Sequence, residues 1–190
     1  MKQKTISFVN QKGGVGKSLL CDELCFEFDR LQLAYNLYDL DGQGGLIHSQ
    51  DNNSEDANYL LVDTPGQLTE QVIETVELSD IIIVPTRASI KEIEPLQRTL
   101  DIIKHKKKKK AVVIIVLNGW NNYTTYSQFE EWLAVEYPQF DKMVTLPQSE
   151  PLAQAESNCI SVIDYKPRNK ASEQLKKLWA IVKYELGMKL

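Results

Sequence analysis

Sulfur is scarce in this chain, and long apolar runs are missing from it. Its three cysteines, Cys21, Cys25 and Cys159, match no zinc-ligand spacing and no even set for a disulfide framework. Cys21 and Cys25 stand four apart in a helical stretch, so they share one face as small buried apolar residues. No apolar stretch approaches the length of a membrane span, and MKQK leads directly into a strand pattern. Neither a membrane segment nor a secretory signal is expected, which points to a cytoplasmic protein. Histidine is rare as well, and His48 has no metal partners near it in sequence, so it reads as a loop histidine. Positive charge is not in excess either. The net charge of −4 argues against a globally basic nucleic-acid binder but leaves room for a local patch. What remains is an ordinary globular composition, 43% hydrophobic and 25% charged. Its 190 residues suffice for one domain, 1–190, with an ample core.

The most informative stretch is Thr5 to Ser18, TISFVNQKGGVGKS. Thr5 to Val9 reads as a buried first strand. The chain then breaks into Gly13, Gly14 and Gly16 and closes on Lys17 and Ser18, where a helical pattern begins. Glycines let a backbone wrap closely around a polyphosphate, with successive N–H groups pointing inward as a nest. The helix that follows adds its positive N-terminal end. In such a P-loop Lys17 supplies a point charge to the β- and γ-phosphates, and the Ser18 hydroxyl a ligand for Mg²⁺.

The general P-loop pattern has glycine where this chain has Gln11, and it has no lysine at position 12. KGGVGKS resembles instead the deviant Walker A motif of the ParA/MinD family of ATPases. The resemblance makes Lys12, Gly13, Gly14, Val15, Gly16, Lys17 and Ser18 the nucleotide-binding loop. It also implies a homodimer closed around two ATP molecules, with Lys12 reaching the partner's nucleotide. Asp39-Leu40-Asp41-Gly42-Gln43-Gly44-Gly45 follows a second strand, Ala34 to Leu40. Its two carboxylates stand two apart at a strand's C-terminal edge and point to one side, toward the ligand crevice of an open α/β sheet. The stretch is similar to the family's Walker A′ motif, with Gly42 where proline is usual. The resemblance makes Asp41 the residue that positions or activates the attacking water, and Asp39 a support for the magnesium shell. A plain Asp-Gly turn is the alternative. Tyr59 to Gly66, YLLVDTPG, looks like Walker B, so that Asp63 holds Mg²⁺ through water. Asn118, at the end of the strand Val112 to Leu117, resembles the asparagine that reads the adenine edge, or else satisfies a strand-end turn. Pro147, closing the short strand Val144 to Pro147, marks where the family places backbone contacts to adenine.

The remaining elements follow from periodicity. Helical spacing marks Ser18 to Leu33, Leu68 to Leu78, Ile90 to Lys104, Ser127 to Val135 and Ala171 to Leu186. Ile81 to Val84 is a continuous apolar run, as in a strand buried on both faces. Ile47 to Asn58 is a polar loop without periodicity, too short for a further complete βαβ crossover. Relatives place helices and strands there.

Three features admit two readings each. Lys106 to Lys110, preceded by Lys104 and His105, is either a solvated loop that complements a helix dipole or a non-specific contact to DNA or anionic lipid. The aromatics Trp120, Tyr123, Tyr126, Phe129, Trp132 and Tyr137 suit core packing or a partner face, and lack the interleaved arginines of a base-stacking surface. Ala171 to Leu186 sets Leu175, Leu178, Trp179, Val182 and Leu186 on one side. That pattern fits either a helix docked on the sheet or an amphipathic membrane helix, and docking is expected.

Alternating strands and helices behind a P-loop give a doubly wound, mostly parallel sheet with helices on both faces. The resemblance implies hydrolysis of Mg-ATP, with Lys12, Lys17 and Asp41 as the catalytic side chains and Ser18, Asp39 and Asp63 as the metal set. It also implies a small partition-type ATPase, working on a plasmid or other mobile element with a DNA-bound, ParB-like adaptor. Non-specific DNA is its track, with nucleoid association if that contact holds, and membrane binding is not expected. Positioning of a protein cargo or conjugation machinery, or a nucleotide-binding regulator with little hydrolysis, are the other readings.

Overall fold

In the computed structural model, residues 3–42, 44–50, 53–54, 56–121, 124–140 and 142–188 are described. Gln43 of the second motif, Asp51, Asn52 and Glu55 of the polar loop, and Tyr123 of the aromatic stretch lie outside them. The β-branched and aliphatic runs form six strands: β1 (Lys4–Phe8), β2 (Tyr35–Asp39), β3 (Tyr59–Asp63), β4 (Ile81–Thr86), β5 (Val112–Trp120) and β6 (Lys142–Pro147). They make one sheet in the order β2-β3-β1-β4-β5-β6, and every neighbouring pair is parallel. All six residues of β4 are buried, as a strand covered on both faces requires.

Among the described residues four α-helices connect strands, α1 (Lys17–Arg30), α2 (Glu70–Leu78), α3 (Ile90–Lys106) and α4 (Thr124–Glu136), and three follow β6, α5 (Glu150–Ser157), α6 (Val162–Tyr165) and α7 (Lys170–Glu185). One face of the sheet packs Phe8, Leu61 and Ile83 against Leu24 and Phe28 of α1 and Leu175 and Trp179 of α7. The other packs Ile82, Val84 and Ile115 against Val76 of α2, Leu100 of α3 and Phe129 of α4. The sheet is therefore doubly wound, and all-parallel where the sequence predicts a mostly parallel one.

Most helix starts are capped by side chains. Thr69, Ser89 and Asn169 accept from backbone N–H groups at the starts of α2, α3 and α7. The start of α1 is different: its N-cap is Gly16 at φ 102°, and no side chain caps it. The cores settle two of the open readings. Phe129 and Tyr137 are buried, with Trp120, Tyr126 and Trp132 packed against the same cluster, so the aromatics that are described serve the core. In α7, Leu175, Leu178, Trp179 and Val182 are buried in the sheet core, so this helix is docked. No described helix is long and apolar enough to cross a membrane.

Two short helices, α5 and α6, interrupt a stretch without legible periodicity. Pro151 stands in the first turn of α5, where its missing N–H costs nothing. Four-residue α6 is capped by Ser161, whose hydroxyl donates to the buried Glu23 of α1 at 2.6 Å. The polar loop joins the parallel neighbours β2 and β3.

Candidate functional site

The C-terminal ends of β1, β3 and β4 meet the turn between Val9 and Lys17. This turn is fixed from beneath by side chains. Asn10 donates to Pro85 O at 2.8 Å and accepts from Lys12 N at 2.9 Å. The Gln11 amide donates to Thr99 Oγ1 of α3 at 3.2 Å. Two glycines are demanded by space. A Cβ on Gly66 would lie 3.0 Å from Gly13 N, and one on Gly16 only 2.3 Å from Asn118 Nδ2, at a φ that L side chains rarely adopt. The loop is thus closely backed, while the first turn of α1 keeps its uncapped N–H end turned to the same edge.

Charged side chains converge below it. Lys17 is 6% exposed, and its Nζ donates to Lys12 O at 3.2 Å. Burial pushes its ammonium below its ordinary value, against the pull of Asp63 and Asp41. Ser18 Oγ donates to Asp63 Oδ2 at 2.5 Å. The other oxygen of Asp63, Oδ1, is buried with no partner among the described residues. Burial pushes the Asp63 carboxyl up to about 6; Ser18 and Lys17 oppose the shift, and the nearby charges of Asp39 and Asp41 add to it. Parallel pairing sets Asp39 opposite Asp63, and the Asp41 amide donates to Asp39 Oδ1 at 2.8 Å. An orphaned buried carboxylate oxygen beside a hydroxyl is a hard-oxygen donor set, and it fits a magnesium ion that retains several waters.

The residues singled out from the sequence divide by distance from this centre. Lys12, Gly13, Gly14, Val15, Gly16, Lys17, Ser18, Asp39, Asp41 and Asp63 share one sheet edge. Asn118 joins them, because its amide donates to Val15 O at 2.9 Å beneath the loop. Pro147 ends β6 opposite Trp120, farther along the same edge. The Lys12 ammonium forms no ion pair among the described residues and is partly exposed. Asn10 and Thr99 escaped sequence reasoning because their partners lie far along the chain. Gly66 belongs to the Pro-Gly turn that closes the Walker B-like motif, and its close approach to Gly13 is what the structure adds.

The lysine run lies at the opposite, N-terminal edge of the sheet, just before β5. Lys106 pairs with Glu77 at 3.1 Å, Lys108 reaches Asp80 at 3.5 Å and Leu78 O, and Lys107 donates to Ala111 O at 3.0 Å. Much of that charge is answered from within the chain.

The family described as the CobQ/CobB/MinD/ParA nucleotide binding domain matches residues 6–162. The chain belongs to this family. The match extends from β1 to the start of α6 and contains every candidate side chain above. Among solved structures, the ATP complex of a McdA variant from Cyanothece is 19% identical, with a TM-score of 0.78 over 99% of this chain and 98% of the other. A plasmid partition protein from Borrelia burgdorferi B31 bound to AMPPNP is 16% identical, with a TM-score of 0.69 over 98% and 99%. The septum site-determining protein MinD from Pyrococcus horikoshii, complexed with Mg-ADP, is 16% identical, with a TM-score of 0.71 over 95% and 96%. At these identities the likeness establishes the fold. No curated protein sequence matches the chain.

Proposed function

We propose that this family member is a dimerising switch ATPase that hydrolyses Mg-ATP to partition or position a DNA element. The observation that carries the reading is the Ser18–Asp63 pair, with its orphaned Oδ1, lying under a glycine loop and an uncapped helix start. The amides of Gly13 to Ser18 bind the phosphates, and Lys17 places its charge against them. Ser18 and Asp63, supported by Asp39, hold Mg²⁺. When bound, the ion neutralises charge that builds on the transferred phosphoryl group. Asp41 orients the attacking water, and Lys12 crosses to the nucleotide of a second copy, so that turnover depends on dimerisation. Asn118 and the backbone after Pro147 face the adenine. Positioning and electrostatic stabilisation do most of the work in such transfers. A DNA-bound adaptor of the ParB kind times the release.

A second reading, positioning of a protein cargo, is favoured by one observation. The most basic run of the chain lies on the edge away from the nucleotide loop, with Lys106 and Lys108 committed to Glu77 and Asp80. The two readings separate in DNA co-sedimentation of wild type and Lys12→Ala with ATP, ADP or no nucleotide, at two salt concentrations. ATP-dependent, salt-sensitive binding that Lys12→Ala abolishes is the result expected of a DNA-riding dimer. Sedimentation indifferent to nucleotide contradicts it and leaves the protein-cargo reading.

A further inference from the structure

The connection from β2 to β3 has to carry the chain from one end of the sheet back to the other, and in a βαβ unit a helix does this. Here a strap does. After Asp41 the chain turns, with the Gly44 amide donating to Asp41 O at 3.0 Å. Gly45 then lies against the first turn of α1, where a Cβ on it would sit 3.6 Å from Ser18 Oγ. One helical turn farther along, Asp22 takes hold of the strap. Its carboxylate accepts from Ile47 N at 3.0 and 2.9 Å, from His48 N at 3.0 Å, and meets His48 Nδ1 at 2.7 Å. The His48 ring packs edge-on against Phe26, with centroids 4.3 Å apart.

Asp22 is 3% exposed, so its charge is withdrawn from water and directed at a segment 25 residues away in sequence. A hollow of about 240 Å³ beside the strap is lined by Asp29, Leu33, Tyr35, Leu37, His48 and Asn53. At its far end Asn53 accepts from Leu37 N at 2.7 Å and donates to Leu37 O at 3.0 Å on the outer edge of β2. Polar clasps at Asp22 and Asn53 thus hold the strap, beside the packing of Leu46 on the core. A buried carboxylate that accepts several N–H groups is an expensive group to retain without purpose.

From this geometry we infer that Asp22 is a positioning residue for the nucleotide site. It fastens the Asp39–Asp41 turn and Gly45 to the helix that carries Lys17 and Ser18, so that the carboxylate turn and the phosphate loop form one rigid unit. The inference rests on the ATPase reading for its kinetic consequence, and on geometry alone for its mechanical one. A misplacement of about 1 Å in a reacting group can cost on the order of a hundredfold in rate. The nucleotide loop itself is anchored by Asn10, Thr99 and Gly66, none of which touches the strap. Loss of the clasp therefore acts on kcat and spares nucleotide affinity.

The test compares wild type, Asp22→Ala, Asp22→Asn and Asn53→Ala, each confirmed folded by thermal melting. Asp22→Ala is expected to lower kcat by about tenfold with the Kd for Mg-ATP within about threefold. Asp22→Asn keeps one acceptor oxygen and falls between it and wild type. Asn53→Ala frees the strap at its other end and leaves kcat within about twofold. An unchanged kcat in Asp22→Ala, a parallel loss of affinity, or an equal loss in Asn53→Ala overturns the inference. Hydrogen exchange at the Ile47 and His48 amides is read in the same samples. A non-hydrolysable ATP analogue slows it in wild type and not in Asp22→Ala; equal slowing in both, or none in wild type, also overturns the inference. Should wild type show no turnover, the hydrolysis reading fails, and these exchange rates alone decide whether the clasp couples strap and site.

Discussion

The two ends of the sheet are both rich in charge, and they handle it in opposite ways. At the N-terminal end, Asp80 accepts from the Thr5 amide at 3.0 Å and lies 3.6 and 3.5 Å from Lys4 and Lys108. Burial works against its ionised form, yet that amide and those cations together hold its carboxyl below the ordinary value. At the C-terminal end, Asp63 is raised to about 6 and keeps an oxygen without a partner among the described residues, while burial depresses the neighbouring Lys17. The first arrangement is satisfied and needs nothing further. The second is incomplete in a way that a divalent cation and a polyphosphate would complete. A run of like charge is conspicuous in sequence, but partial satisfaction, visible only in three dimensions, better marks a site that works.

This contrast can be broken by substitution. The largest effect is expected from Lys17→Ala, which should weaken Mg-ATP binding by at least about a hundredfold, roughly 3 kcal/mol, read by calorimetric titration. Asp63 comes next. Its folded carboxyl titrates near 6, above its ordinary 3.8, so between those values the folded chain holds a proton that the unfolded chain has released. Stability from this group is full at the acid end of that window and is lost as pH rises through about 6. In metal- and nucleotide-free buffer, Asp63→Asn should flatten that decline, a difference of about 2–3 kcal/mol in urea melts across the window. Added Mg-nucleotide should reverse the trend for wild type only.

Gly16→Ala follows. A methyl there meets Asn118 at a backbone φ of 102°, and about 1–3 kcal/mol of stability should be lost. Gly13→Ala, where a Cβ meets nothing within 4 Å, should leave the melting curve in place. The smallest effect belongs to the other edge. Lys109→Gln with Lys110→Gln removes two exposed cations and should change stability by no more than about 0.5 kcal/mol, with nucleotide affinity unmoved.

How much of this was legible beforehand depends on the reach of each interaction. KGGVGKS is local: its glycines, lysine and serine carry their geometry within one turn, so loop, strand and helix could be read together. The β-branched runs from Ile81 and Val112 announce buried strands for the same reason. Asp22 could not be read, because a carboxylate in mid-helix looks solvated until the strap with Ile47 and His48 closes over it. His48 does lie in a loop, as expected, but one held by α1. Short α5 and α6 hide because Pro151 reads as a breaker and a single turn has no period. The lysine run was ambiguous in sequence because composition does not reveal that Glu77 and Asp80 face it. Asn118 reads from sequence as the close of a strand, whereas β5 continues to Trp120 and the Asn118 amide donates to Val15 O.

The most direct test of the central claim is Mg-ATP turnover and Mg-ATP binding measured on the same preparations of wild type and Asp41→Ala. Wild type should hydrolyse ATP, and Asp41→Ala should lose turnover by at least about fiftyfold while its Kd stays within about threefold. Equal turnover in the two proteins, or binding lost together with turnover, would contradict the assignment of the C-terminal edge as a hydrolytic site.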